Sequence, residues 1–182
     1  MSRIASERLA AREAERGILL YFERRRPTTR AVQPQYWTPL ERARRRYGGL
    51  LRALAADSRG RPSWPAFANA LLRASRVIVP ALVLAEVDYF LRAERAAMRK
   101  LTAEILDPAT TYELEPVFPQ DLVRALTLDA KFASLELGLV DGMVAAVAER
   151  RRVYRVLTTD RRDLMAVRIG ARYDRALEIV PA

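Results

Sequence analysis

Hydrophobic and polar positions follow a regular pattern from about residue 60 to residue 180, with short apolar runs between segments of helical periodicity. The run RVIVP, Arg76 to Pro80, predicts a buried strand. Residues 81–93 are too long for a typical strand and predict a buried helix, and residues 94–106 predict an amphipathic one. The pattern further predicts helices at 65–75, 121–133, 139–150 and 160–168, and strands at 111–117, 152–159 and 176–180.

Strands that alternate with helices predict an α/β domain around a mostly parallel sheet. The first quarter of the chain does not share this pattern. Residues 3–16 favour helix with a thin apolar stripe, ILLYF (18–22) is short and apolar, and 24–37 is typical of a loop or disorder. We therefore expect an atypical Arg-rich segment at 1–47, helical or partly disordered, and one α/β domain at 48–182.

The composition excludes several kinds of chemistry. The chain has no cysteine and no histidine, which excludes disulfides, thiolate or imidazole zinc sites and histidine-based catalysis. The net charge is +10, and 30 of the 32 basic residues are arginine, which binds phosphate well and favours a nucleic-acid partner. Residues 1–47 alone carry 12 arginines against five acids. No membrane span or signal core is evident, so we expect no membrane partner and a cytoplasmic location.

Glu86 lies in a segment that is apolar on nearly every side, ALVLAEVDYFL. Burial of an unpaired carboxylate costs several kcal/mol on a rough scale. The sequence offers no helical partner, because the residues three and four positions away are apolar or aromatic. Two interpretations stay open: the helix edge reaches solvent at Glu86, or the carboxylate serves a site.

Three further acids occupy helix starts. Asp141 opens the helix GMVAAVA, where the helix dipole favours an acid. Asp160 is a natural N-cap, and Asp163 falls at the third position of the same helix. Capping and dipole alone explain these acids without any chemistry.

Taken together, these acids favour a shared site, since Glu86, Asp141 and Asp160 each fall at a strand–helix boundary. Sites in open α/β sheets collect at the carboxyl ends of strands, and clustered carboxylates persist when a cation neutralises them. Mg²⁺ prefers oxygen ligands, and a bound divalent ion supports phosphodiester hydrolysis. The residues alone therefore suggest metal-dependent phosphodiester hydrolysis.

Two stretches resemble the PIN-domain ribonucleases, in particular the VapC toxins of toxin–antitoxin pairs. They are VIVPALVLAEVDYFLRAE (77–94) and LGLVDGMVAAVAERRRVYRVLTTDRRDLMAVR (137–168), and the resemblance covers about 48–180. It implies an α/β/α sandwich that cuts RNA with Mg²⁺ or Mn²⁺, forms homodimers and is neutralised by an antitoxin. By the same resemblance, Glu86, Asp141 and Asp160 are catalytic metal ligands, Asp163 is an auxiliary metal-binding acid, and Thr159 is the hydroxyl residue before the fourth acid.

The chain departs from the family at its first motif, an apolar strand that ends in Asp-Thr. The family-like text begins at GGLLRALAAD, so the Asp-Thr pair would fall at Arg46-Tyr47, after ERARRRY. Asp57 is a poor substitute in the following loop. The sequence thus predicts that the first strand is missing or replaced, and our hypothesis is that residues 1–47 derive from a frameshifted, mis-started or rearranged N-terminus. Sequencing of the locus tests that hypothesis.

Three functions stay open from the sequence. The first is an active Mg²⁺-dependent ribonuclease. The second is a degenerate, catalytically impaired module that binds RNA or antitoxin without cutting. The third is a nucleic-acid-binding protein led by the Arg-rich segment 24–46, where Tyr36 and Trp37 are interleaved with arginines. We interpret Arg150-Arg151-Arg152 as an exposed helix end, and Tyr89 and Phe90 as core.

Overall fold

The computed structural model describes the strand at 17–20 and residues 64–92, 94–159 and 161–181. The centre of the fold is a five-stranded sheet in which every pair of neighbours is parallel. Its strands lie in the order Tyr112–Glu115, Arg76–Pro80, Gly17–Leu20, Arg155–Leu157 and Glu178–Val180. A short antiparallel pair, Arg168–Ile169 with Arg175–Ala176, stands apart from it. The expected α/β fold with a mostly parallel sheet is confirmed.

The elements follow one another in a mostly alternating order. The strands are β1 (Gly17–Leu20), β2 (Arg76–Pro80), β3 (Tyr112–Glu115), β4 (Arg155–Leu157), β5 (Arg168–Ile169), β6 (Arg175–Ala176) and β7 (Glu178–Val180). The α-helices are α1 (Pro65–Leu72), α2 (Ala81–Phe90), α3 (Arg95–Leu106), α4 (Pro119–Lys131), α5 (Gly138–Arg151) and α6 (Arg162–Ala166). A 3₁₀ turn at Ala133–Leu135 joins α4 to α5. In the part of the chain just described, no helix is long and apolar enough to cross a bilayer.

The first strand was predicted to be missing or replaced, and of these alternatives a missing strand is wrong while a replacement agrees with the sheet. Gly17–Leu20 forms β1, which takes the central place between β2 and β4. Leu19 pairs with Ile78 on one side and with Val156 on the other. A parallel sheet with helices on its faces needs apolar strands at its centre, and GILL satisfies that need in four residues. Part of the expected N-terminal segment is therefore integrated in the domain, while the boundary at residue 47 lies outside the described residues.

The buried core is built around β2 and α5. Val77, Ile78 and Val79 of β2 are at most 1% exposed. Seven consecutive residues of α5, from Gly142 to Ala148, are buried, so this helix is enclosed on all sides. It is enclosed because α2, α4 and the strands β1, β2 and β5 all contact it. Small residues in α5 allow these neighbours to approach closely.

The approach of α4 to α5 is closest at Gly142. A Cβ atom added there would lie 2.9 Å from the carbonyl oxygen of Ala125 and 3.1 Å from the Cβ of Ala125. Any side chain at position 142 would therefore push the two helices apart. Since Gly142 directly follows Asp141, the spacing of these helices also sets where the Asp141 backbone lies.

The β5–β6 hairpin is attached to the α4–α5 pair by one arginine. Arg124 donates to Glu149 Oε2 at 2.9 Å, to the Tyr173 hydroxyl at 3.1 Å and to the Gly170 carbonyl at 3.2 Å. Glu149 Oε2 also accepts from the Gly170 backbone N–H at 3.0 Å. Hydrogen bonds to Glu149 and Tyr173 outweigh the effect of burial and raise the pKa of Arg124. The cluster fixes the C-terminal hairpin against the helices.

We expect the sheet to depend on β1. Replacing Leu19 by proline removes a backbone N–H in a strand with neighbours on both sides, where proline is not tolerated. Deletion of residues 1–47 removes the whole strand and should abolish most of the roughly 5–15 kcal/mol that stabilises a domain of this kind. Urea denaturation followed by circular dichroism measures both variants.

The matched control is deletion of residues 1–14, which leaves β1 in place. We expect this variant to unfold cooperatively with the midpoint of the full chain. If the chain 48–182 unfolds with the same cooperativity and midpoint as the full chain, β1 is dispensable and the whole N-terminal segment is an appendage.

Candidate active site

Glu86 is positioned by the junction of β2 and α2. The helix begins at Ala81, directly after the last strand residue Pro80, so its first turns lie at the carboxyl end of β2. Glu86 is only 7% exposed and shares the buried face of α2 with Val83 and Val87. The interpretation that Glu86 sits at a solvent-exposed helix edge is therefore wrong. A buried carboxylate requires compensation by hydrogen bonds or by a cation.

Asp141 lies in the first turn of α5 and is partly buried. Its helix contacts α2, and both helices contact β2. The structure thus brings together the two helices that carry Glu86 and Asp141. An acid in the first turn is stabilised in its charged form by the positive end of the helix dipole.

The carboxyl end of β4 holds the remaining candidates. Thr158 follows the strand, is 1% exposed, and its backbone N–H donates to the Val180 carbonyl of β7 at 3.2 Å. Thr159 is partly buried, and Asp160 lies outside the described residues. Asp163 is partly buried in the first turn of α6. Along the chain, Thr159 and Asp163 therefore stand before and after Asp160.

The expected cap of α6 is wrong. The helix begins at Arg162, the cap position falls on Arg161, and no side chain caps it. The Met165 N–H donates to the Arg161 carbonyl at 3.2 Å, as expected for a helix with Arg161 at its cap position. Asp163 consequently falls at the second helical position.

The acids that are described do not complete a metal site among themselves. Across residues 64–92, 94–159 and 161–181, no three acidic side chains lie close enough together to hold a metal ion. Glu86, Asp141 and Asp163 therefore form no such group. A site of the predicted kind requires Asp160 or an acid from another part of the chain outside those ranges.

Sequence analysis overlooked one acid, Glu23. It follows the end of β1 by three residues, and β1 ends at the same edge of the parallel sheet as β2 and β4. Ligand sites of α/β proteins collect at this edge. The signal was an apolar run followed by an acid, ILLYFE, and it was masked by the three arginines that come next. Glu23 itself lies outside the described residues.

Two arginines at the end of α5 bind buried acids instead of facing solvent. Arg150 donates to both oxygens of Asp121, at 2.8 Å from Nε to Oδ1, and to Glu115 Oε1 at 2.6 Å. Arg151 donates to Glu115 and Glu113. Glu115 and Asp121 are each only 2% exposed. The interpretation of 150–152 as an exposed helix end holds for Arg152 alone.

This arginine network connects three elements. Hydrogen bonds to Asp121 in the first turn of α4, and to Glu115 at the end of β3, outweigh desolvation and raise the pKa of Arg150. The Arg150 guanidinium also lies 4.8 Å from the centroid of the Phe118 ring. The network therefore anchors the C-terminal end of α5, whose opposite end carries Asp141.

The described fold is a parallel α/β sheet with carboxylates on the helices that flank its central strands. In proteins of this class, ligands such as cations and phosphates bind at the carboxyl ends of the strands. The sequence matches the PIN domain over residues 50–169, and the chain belongs to the PIN domain family. This family has an α/β/α fold, and its members are generally nucleases that use divalent metal and bind RNA. A search of curated proteins finds no match. β1 precedes the matched residues, so the central strand comes from outside the family-like sequence.

Proposed function

We propose that the chain is a divalent-metal-dependent endoribonuclease that acts as the toxin of a toxin–antitoxin pair. The single observation that carries the proposal is membership of the PIN domain family. The placement of Glu86 and Asp141 on two helices in contact supports it. A homodimer, a cognate antitoxin and a cytoplasmic location belong to the same proposal, and they rest on the resemblance to VapC toxins.

The donor set fits a hard divalent cation. The candidate ligands are carboxylates without histidine or cysteine, and oxygen ligands suit Mg²⁺ or Mn²⁺. Glu86, Asp141 and Asp160 would hold the ion, with Asp163 close to Asp160 in the chain. When bound, such an ion supplies an activated water and neutralises charge on the phosphodiester.

The residues of the chain contribute placement and electrostatics. Glu86 is held by apolar neighbours on the buried face of α2, so its carboxylate has little freedom to turn towards solvent. Asp141 lies in the first turn of α5, where the helix dipole favours a negative charge. With no imidazole in the chain, proton transfer falls to water and to these carboxylates.

The test combines binding and cleavage. We expect Mn²⁺ to bind the purified full chain in isothermal titration calorimetry, and the bound ion to raise the thermal unfolding midpoint. We expect a fluorescently labelled single-stranded RNA to be cut in Mg²⁺ or Mn²⁺ and left intact in EDTA. Cleavage that persists in EDTA would contradict the metal requirement, and a folded chain that neither binds Mn²⁺ nor cuts RNA would refute the proposal.

A degenerate module that binds RNA or antitoxin without cutting is the second candidate. It is favoured by the departure from Asp-Thr at Arg46-Tyr47. It predicts RNA binding with no cleavage in either metal. Replacing Glu23 by glutamine separates the two candidates further, because only the active enzyme can lose activity through that change.

A further inference from the structure

An exposed aromatic ring with an arginine over it lies where α2 ends, and a second exposed arginine follows on α3. Tyr89 is 55% exposed, although the sequence interpretation assigned it to the core. The Arg92 guanidinium lies 4.6 Å from the centroid of the Tyr89 ring. Arg99 is exposed in the second turn of α3. We call Tyr89, Arg92 and Arg99 the α2–α3 patch.

The Tyr89 ring contacts a side chain on each of two sides. Its neighbour Phe90 packs against the core and meets it edge to face, with ring centroids 5.6 Å apart and planes at 79°. Arg92 covers one face of the ring, so the opposite face is the one that can receive a flat ligand. Nucleic-acid bases stack on exposed aromatic rings, and arginine adds a favourable cation–π contribution at such sites.

The charges around the ring favour an anionic partner. Arg95 is paired with Asp88, and Lys100 lies 3.9 Å from Glu104. Arg92 and Arg99 form no ion pair with any acid among residues 64–92, 94–159 and 161–181. Their positive charge is thus available to phosphate groups, which arginine binds in a bidentate manner.

We propose that the α2–α3 patch binds an unpaired segment of RNA, with one base stacked on Tyr89 and the adjacent phosphates bound by Arg92 and Arg99. The inference rests on the proposed function for its choice of RNA. The segment is single-stranded because a base in a duplex has both faces covered by its stacked neighbours, and only an unpaired base can cover Tyr89. The patch therefore selects unpaired regions of the substrate.

The patch is close to the candidate site along the same helix. Tyr89 is three residues after Glu86, and side chains at this spacing are neighbours on a helix surface, roughly 5–6 Å apart at Cβ. Glu86 faces the core from α2 while Tyr89 faces solvent. A strand held by Tyr89 thus runs past the helix that supplies a predicted metal ligand.

The experiment measures binding without cleavage. Fluorescence anisotropy in EDTA follows the full chain with a labelled oligouridine of about 12 nucleotides, within the usual range of single-strand site sizes. We expect Tyr89→Ala and Tyr89→Leu each to weaken binding about tenfold, because both remove the ring and the second keeps the apolar bulk. Tyr89→Phe keeps the ring and should bind within about twofold of the natural chain. The natural chain and the three Tyr89 variants should bind an RNA duplex of the same length with equal affinity.

The arginines are tested by their salt dependence. Each of Arg92→Gln and Arg99→Gln should lower the slope of log Kd against log salt concentration by about 0.7, the value for one contact to a single-stranded phosphate. Arg172→Gln is the matched control, because Arg172 is exposed on the turn between β5 and β6, outside the patch. It removes the same charge and should leave the slope unchanged.

Three outcomes overturn the inference. The first is equal binding of oligouridine by the Tyr89→Ala variant and the natural chain. The second is equal loss on the duplex, which would indicate general electrostatic attraction. The third is an oligoglutamate peptide that binds as tightly as the RNA and loses affinity with the same variants, which would assign the patch to an acidic protein partner. Patch-dependent binding by a chain that never cleaves RNA would uphold the inference and refute the proposed nuclease activity.

Discussion

Replacing Asp141 by asparagine should lower metal-dependent RNA cleavage by at least about 100-fold, a loss typical of removing one preorganised electrostatic group from an active site. Asparagine keeps the size of the side chain and a carbonyl oxygen but loses the negative charge. That charge is the property that a divalent cation requires, and the first turn of α5 stabilises it. Single-turnover cleavage of labelled RNA, at saturating Mn²⁺, is the measurement.

Asp174→Asn is the matched control for this change. Asp174 is an exposed acid beside β6 that pairs with Arg172 at 3.6 Å, outside the candidate site. We expect its variant to cleave at the natural rate. The Asp141 variant should also keep its unfolding midpoint in the absence of metal and lose the increase that Mn²⁺ gives to the natural chain. An Asp141→Asn chain that cuts RNA normally would remove Asp141 from the site.

Replacing Arg150 by methionine should destabilise the fold by about 3–5 kcal/mol, the usual cost of removing one partner from a buried ion pair. Asp121 is 2% exposed and would remain in the interior without the cation that now contacts it, while Glu115 would keep its hydrogen bond from Arg151. Methionine keeps the apolar length of the side chain, so the loss reports the charge and its hydrogen bonds. The free energy of unfolding from urea titration measures it.

Two further variants test whether this loss of stability comes from the buried ion pairs. Arg172→Met removes an arginine whose side chain is 88% exposed, and it should cost less than about 1 kcal/mol, as exposed pairs do. Arg150→Met combined with Asp121→Leu removes the uncompensated carboxylate as well and should recover part of the lost stability. If Arg150→Met costs no more than Arg172→Met, the network does not anchor α5.

The sequence predicted most elements from residue 64 onward because their signals are local. It missed β5, whose first residue fell in a predicted helix, and it merged residues of β6 and β7 into one strand at 176–180. β2 coincides with the predicted strand Arg76–Pro80, and α3 begins one residue after its predicted start. Pro65 opens α1 as predicted, since proline suits the first helical position. Errors at these elements are confined to their ends, where helix and strand boundaries depend on single hydrogen bonds.

β1 could not be predicted with its role because that role is decided by distant residues. GILL is four residues long, so its own pattern does not distinguish a strand from a loop. Only its pairing with β2 and β4 makes it the centre of the sheet.

The residue types of the candidate site could be predicted from the sequence, whereas the contacts around them could be predicted less well. The apolar segment around Glu86 left both exposure and burial open, and the structure shows that Glu86 is buried. The different environments of the arginines 150–152 could not be predicted from the sequence, because they depend on where Glu115 and Asp121 lie in space. Three identical neighbours therefore differ, with two bound to acids and the third exposed, and no local pattern distinguishes them.

The central position of β1 has a consequence for biosynthesis. β1 is translated before both of its neighbours in the sheet, first β2 and, much later, β4. Until β4 is made, β1 can close at most one side of the sheet, and its other edge stays open to misplaced pairing. Such distant pairings slow folding because the intervening chain must first be brought together. The nascent chain therefore cannot complete its central sheet before β4 and β7 have been translated.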